Sequence, residues 1–391
     1  MKRKNLMGFF IGLTVWLMMT SLAKADVKVA NVSVKPRWPW NGKVDVIYYV
    51  VCDDLDEKGQ PCDIHVDFMG YDAVQKKDIP MVSLTGDGVT STVKSGGPYK
   101  VTWDASQDYT TLNTSAFQVK IHACLGLYMV VDLSKQVNAI SYPIRYTDTP
   151  PDLNDDTCRK TELWLRRVPA GKFLMGTPGG GLTQHEVTLT KTFYIGVFEC
   201  TKDQYWCVMN QDPTGLGYGT YPVTNVGYSK IRGKYSVESQ TFIGRLQVKT
   251  GLIFELPTEA QWEYAAKGGS ESATYIYAGS NDVKEVAWYN GNSDNHLHDV
   301  GKKKPNSLGL YDMSGNVWEY CLDWFSNNYS DNAVTDPYGP DTEQWVNNVN
   351  QGKVIRSGSC FDSASNCYIT ERNSRRESAG GDTGFRVICI P

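Results

Sequence analysis

Asn306-Ser307-Leu308-Gly309-Leu310-Tyr311-Asp312-Met313-Ser314-Gly315-Asn316-Val317-Trp318-Glu319-Tyr320 decides how the second half of this chain is read. Glycine, asparagine, aspartate and aromatic residues are mixed in it without a sustained helical or strand period. That is the composition of loops held by aromatic packing, disulfides or ions. From about Thr161 to the C-terminus the same character prevails and helix signals are few. The clearest runs from Leu256 to Gly269: Thr258 and Gln261 make a capping box, Glu259 sits in the first turn, and Gly268 lies where a C-terminal cap belongs. A second helix is expected to begin near Thr201, with Asp203, Gln204 and Tyr205-Trp206. No internal repeat is apparent.

Upstream, residues 26–147 read as all-β. Short, mostly alternating runs such as Lys43 to Val50, Asp63 to Phe68 and Gln118 to Ala123 are separated by turn residues such as Asn41-Gly42 and Gly96-Gly97-Pro98. About seven such strands predict an immunoglobulin- or fibronectin-like sandwich. The polar, Pro-rich stretch from Thr147 to Asp152 predicts a linker over 148–160, with a second domain over 161–391. Residues 1–25 have the pattern of a secretory signal peptide: Lys2-Arg3-Lys4, an apolar run from Leu6 to Met19, and Ala23-Lys24-Ala25 before Asp26. The protein is therefore expected to be exported, periplasmic or secreted, with no membrane span after cleavage.

The 391 residues carry 39 Lys+Arg against 43 Asp+Glu. Removing the leader takes four basic residues and no acidic ones, which moves the formal charge from −4 to about −8. A nucleic-acid binder needs a dense basic face, so none is expected as a partner. Ten cysteines, an even number in an exported chain without a CxxC pair, predict disulfides rather than zinc thiolates. Cys52 and Cys62, flanking a polar turn, are the best local pair.

Residues 161–391 resemble the formylglycine-generating-enzyme, or sulfatase-modifying-factor, domain family. The resemblance is carried, in order, by Val168 to Gly176, His185 to Leu189 with Phe193 to Gly196, Tyr221 to Val226, the capped helix, the opening stretch 306–320, Val354 to Ser359, and Thr383 to Val387. It implies an α+β domain related to C-type lectins, with little regular secondary structure. An N-terminal β-sandwich before it resembles an arrangement of exported bacterial members. The family archetype oxidises a cysteine of an unfolded sulfatase segment to formylglycine, using O2 and a Cu(I) ion held by two thiolates. Carried onto this chain, those thiolates fall at position 362, which is Asp362, and at Cys367. A carboxylate is a hard oxygen ligand and does not replace a thiolate on Cu(I). Cys360 is the alternative, but two residues along a strand displace a side chain by about 6.6 Å. Ser359 keeps the archetype's serine. Cys367, Ser359 and Cys360 are therefore the catalytic candidates, while Cys360 is also read as a disulfide partner of Cys321, Cys367 or Cys389.

The resemblance also implies a structural calcium loop. In it Asp312 and Glu319 would give side-chain oxygens, and Gly315 and Val317 backbone carbonyls, a set suited to an oxygen-seeking cation. A second branch of the superfamily binds iron through histidines of a helical N-terminal domain, which the β-rich N-terminal region here does not match. His296-Leu297-His298-Asp299 is read as a surface loop rather than a metal site.

Two functions follow. One is a non-catalytic recognition or structural module, exported, holding a protein or glycan ligand on aromatic and polar residues between Ser359 and Gly384. The other is a copper oxidase acting on an exported sulfatase. The broken thiolate pair favours the first.

Overall fold

A computed structural model describes residues 27–37, 41–55, 59–89, 91–112, 114, 116–176, 184–213, 215, 217–271, 275–327, 332–346, 349–377 and 380–390. The signal peptide expected over 1–25 lies outside the described residues. No helix among the described residues is long and apolar enough to cross a membrane. The chain divides into two compact units, Met1–Gly126 and Leu127–Pro391.

In the first unit seven strands form as the alternation predicts: β1 (Lys28–Pro36), β2 (Lys43–Val51), β3 (His65–Asp72), β4 (Lys77–Pro80), β5 (Leu84–Gly86), β6 (Gly96–Asp104) and β7 (Phe117–Cys124). They make two antiparallel sheets, β1-β2-β6-β5 and β4-β3-β7. The first order is that of the A-B-E-D sheet of an immunoglobulin constant domain. In β2 every second residue, Val44, Val46, Tyr48 and Val50, is buried. Trp103 stacks on Phe117 with ring centroids 5.4 Å apart, and Tyr48 meets Phe68 edge-on at 5.3 Å, so aromatic pairs join the two sheets across one core.

The boundary falls earlier than the composition suggested. The strands Tyr128–Asp132 and Ile144–Thr147, expected in the sandwich, are hydrogen-bonded into the sheet of the second unit, with Leu163 opposite Val131 and Val131 opposite Ile144. The reason is visible in Tyr128-Met129-Val130-Val131, which is apolar without alternation and buried on both faces, as a central strand requires. The stretch expected as a linker is not a loose spacer either. It contains the short helix Thr157–Lys160, whose buried Arg159 donates to the Val300 carbonyl at 3.2 Å.

The second unit carries a six-stranded sheet in the order Ile253–Glu255, Ile388–Ile390, Phe193–Gly196, Glu162–Val168, Tyr128–Asp132, Ile144–Thr147. A four-stranded sheet runs Asn373–Arg375, Lys353–Arg356, Trp318–Trp324, Thr383–Gly384. Helices are few and short. Glu259–Ala266 starts on the expected capping box, and Lys202–Met209 starts on a second one made by Thr201 and Gln204. A third helix, Phe242–Thr250, was not anticipated, although Thr241 caps it and Gly251 ends it in the left-handed region. Buried ion pairs tie the helix Glu259–Ala266 to the smaller sheet: Arg356 donates to Glu263 at 2.6 Å and to Glu259 at 3.1 Å, and Arg372 grips both oxygens of Glu259 at 2.6 Å.

Candidate functional site

The opening stretch leads from a loop into the strand Trp318–Trp324, and its loop is closed by tight backbone geometry. Asp312, Gly315 and Asn316 all have positive φ. A Cβ on Gly315 would stand 2.2 Å from the Trp288 carbonyl oxygen, so the position requires glycine. Asn316 is fully buried and uses its groups on four segments. Its amide donates to Glu199 Oε2 at 2.7 Å and to the His298 carbonyl at 3.2 Å, and its Oδ1 accepts from His298 N at 3.0 Å. Its backbone N donates to the Trp288 carbonyl and its carbonyl accepts from Cys360 N, both at 2.9 Å. Glu199 Oε1 also accepts from Val317 N at 3.0 Å.

Of the four residues expected to hold calcium, Glu319 is fully buried and both its oxygens are taken. Arg386 donates Nε to Oε2 and Nη2 to Oε1, each at 2.6 Å, and Trp262 Nε1 adds a bond to Oε2 at 2.8 Å. The Gly315 carbonyl accepts from Ser357 Oγ at 3.1 Å. The Val317 N–H holds Glu199. Asp312 Oδ2 accepts from Gly301 N at 2.7 Å, and its buried Oδ1 has no hydrogen-bond partner. Calcium takes roughly six to eight oxygens. The loop's two acidic side chains supply one unpartnered oxygen beside a carboxylate closed by a guanidinium, and among the described residues no three His, Cys, Asp or Glu side chains converge on a metal position. As it stands, this loop does not fit the ion. Burial pushes the Asp312 carboxyl up to about 6, and burial together with the Asp312 and Glu319 charges pushes Glu199 well above the usual carboxylate range.

The catalytic candidates lie in the neighbouring loop. Ser359, Cys360 and Cys367 are fully buried. Asp362 Oδ2 accepts from Trp318 Nε1 at 2.8 Å and from Ser359 N at 3.1 Å, and it also takes the Ser359 hydroxyl. The carboxylate at the missing-thiolate position therefore serves as a hydrogen-bond node. Cys360 and Cys367 are unbridged, and burial pushes both thiols up to about 12. Ser359 is engaged with Asp362. With Asp362 so committed, the two archetype positions supply one thiol and one carboxylate, a pair that does not fit a two-thiolate copper site.

The disulfides expected among Cys321, Cys360, Cys367 and Cys389 do not form. Three of them pack in separate apolar surroundings: Cys321 beside the helix Glu259–Ala266, Cys389 in the core of the larger sheet, and Cys367 against Tyr277, Val286 and Ala287. The histidine loop holds no convergent ligands. His298 stacks on Trp288 at 3.6 Å with Nε2 on the Ser293 carbonyl, His296 Nδ1 meets the Asp294 carbonyl, and Asp299 accepts from Thr220.

Around this frame the surface is aromatic. Phe361 and Tyr368 are exposed on the loop, and Tyr275 and Ile276 are exposed beside it, joined by the Ile369 N to Ile276 O bond at 2.9 Å and the Tyr277–Tyr368 ring contact at 5.3 Å. The residues not foreseen are Glu199 and the role of Arg386. The available signals were a lone acid in the apolar run from Val197 to Cys200 and an arginine inside Gly384-Phe385-Arg386-Val387.

A six-stranded and a four-stranded sheet, capped short helices and a buried carboxylate loop define an α+β domain of the formylglycine-generating-enzyme type. The sulfatase-modifying factor enzyme 1-like domain matches residues 152–390, and the chain belongs to that family. It is 30% identical over 261 residues to the chaperone protein LppX of Paenibacillus barcinonensis, covering 54% of this chain and 85% of that protein. It is 38% identical over 149 residues to the formylglycine-generating enzyme of Streptomyces coelicolor, covering 34% of this chain and only 45% of that enzyme. Among solved structures, Treponema denticola variable protein 1 is similar with a TM-score of 0.51 and 29% identity, over 59% of this chain and 96% of that one.

Proposed function

We propose that this is an exported, non-catalytic member of the family that recognises a polypeptide through the aromatic rim around the loop 359–369. The observation that carries the reading is Asp362: at the position of a copper thiolate stands a carboxylate committed to Trp318 and Ser359. The similarity to a protein named as a chaperone supports a polypeptide as the ligand, since it spans most of that relative's length. The exposed Phe361, Tyr368, Tyr275 and Ile276 supply apolar contact surface of the kind that holds an extended segment. Retention of Ser359 and Cys367 favours the oxidase as the second reading.

The test uses the chain without residues 1–25, reduced and titrated with Cu(I), then supplied with a cysteine-containing peptide and O2. The expected result is no one-to-one copper uptake and no aldehyde product, with slowed aggregation of an unfolded client protein. Stoichiometric copper binding with aldehyde formation would sink the non-catalytic reading.

A further inference from the structure

We infer that the guanidinium of Arg386 is the resident cation of the Asp312–Glu319 loop, and that this chain folds and holds that loop without calcium. The inference rests on where the donors point. Arg386 is fully buried, and its planar fork meets both Glu319 oxygens at 2.6 Å, the bidentate geometry in which arginine binds a carboxylate most strongly. The same guanidinium donates Nη1 to the Gly196 carbonyl at 2.9 Å and Nη2 to the Tyr311 carbonyl at 3.0 Å. One side chain thus ties together the end of the strand Phe193–Gly196, the residue preceding Asp312, and the strand Trp318–Trp324.

That is the work an ion does in such a loop: it gathers carbonyls and a carboxylate from separate segments around one positive centre. Trp262 Nε1, at 2.8 Å from Glu319 Oε2, adds a third donor to the carboxylate. For calcium to take Glu319, the guanidinium would have to give up its bidentate contact while remaining buried, a costly arrangement. The Gly315 carbonyl is likewise committed, to Ser357. Of the loop's two acidic side chains only Asp312 keeps an oxygen, Oδ1, without a hydrogen-bond partner, and one carboxylate oxygen falls far short of the roughly six to eight oxygens that calcium takes.

The experiment compares thermal melts of the purified chain after exhaustive EGTA treatment and after addition of millimolar calcium, alongside calorimetric titration with calcium chloride. The expected result is superimposable melts and no saturable heat. A melting temperature that falls by several degrees in EGTA and recovers with calcium would overturn the inference, as would one-to-one binding in the titration. Arg386→Met gives an independent arm. With the guanidinium gone, Glu319 is left with Trp262 alone, and the variant is expected to melt lower and to gain a rise in melting temperature on adding calcium. A variant that melts like the wild type would also refute the assignment. If Arg386→Met does not fold, the wild-type titration still decides.

Discussion

Asp323 lies in the strand Trp318–Trp324, fully buried, where its Oδ2 accepts from the backbone N of Glu259 at 2.8 Å in the first turn of the helix Glu259–Ala266. Burial, and after it the nearby Glu259 carboxylate, push the Asp323 carboxyl from 3.8 up to about 7. The perturbation is Asp323→Asn, which keeps an oxygen for the Glu259 N–H and removes the titration. The folded-state value lies above the unfolded one, so the folded protein binds this proton more tightly. The group's contribution is therefore best below about pH 4, declines as pH rises towards 7, and levels off above it. Well below the folded value each pH unit is worth about 1.4 kcal/mol, and the slope halves at that value, so between about pH 5 and pH 7 the wild type should lose about 2 kcal/mol that the variant keeps. Urea denaturation of both proteins at pH 5, 6, 7 and 8 measures this. Subtracting the variant's curve cancels groups that titrate alike in both. The wild type should become less stable relative to Asp323→Asn as pH rises, with the gap flattening near pH 7 to 8. Parallel pH profiles for the two proteins would refute the reasoning, and a gap that widened towards acid would reverse its sign.

Three further outcomes are expected. Asn316→Ala removes a side chain that satisfies Glu199 and both backbone groups of His298, and should cost about 3 kcal/mol or more in the second unit's unfolding transition by denaturant, because buried partners are left unpaired. Asp362→Ala strands the Trp318 indole N–H and the Ser359 donors and should cost about 2 to 4 kcal/mol in the same assay, with Asp362→Asn costing less. The double change Phe361→Ser with Tyr275→Ser, at exposed positions, should leave the melting temperature within about 1 °C while weakening retention of an unfolded client measured by light scattering; unchanged retention would count against the rim.

What could be read from the sequence was what is local. The β2 alternation and the Thr258–Gln261 box act within a few residues, and both formed as expected. The boundary at Gly126 was missed because Tyr128 to Val131 lacks alternation, and a central strand declares itself only through neighbours that arrive later in the chain. The helix Phe242–Thr250 was overlooked although Thr241 and Gly251 bracket it, because Gly244 interrupts its short apolar pattern. Asp362 was legible as a replacement but not as a hydrogen-bond node, since Trp318 lies 44 positions away. Arg386 with Glu319 spans 67 positions, and the unbridged Cys321, Cys360, Cys367 and Cys389 were missed for the same reason: an even count of cysteines does not say what surroundings each one enters.

The bonds of Asn316 have a consequence for how such a protein can diversify. Its partners are chiefly main-chain groups, at Trp288, His298 and Cys360, which remain in place whatever side chains those segments carry. The frame is thus indifferent to much of the sequence it organises. Phe361, Tyr275 and Ile276 carry exposed side chains around it, so a lineage can rewrite them to meet a new ligand without renegotiating the fold beneath.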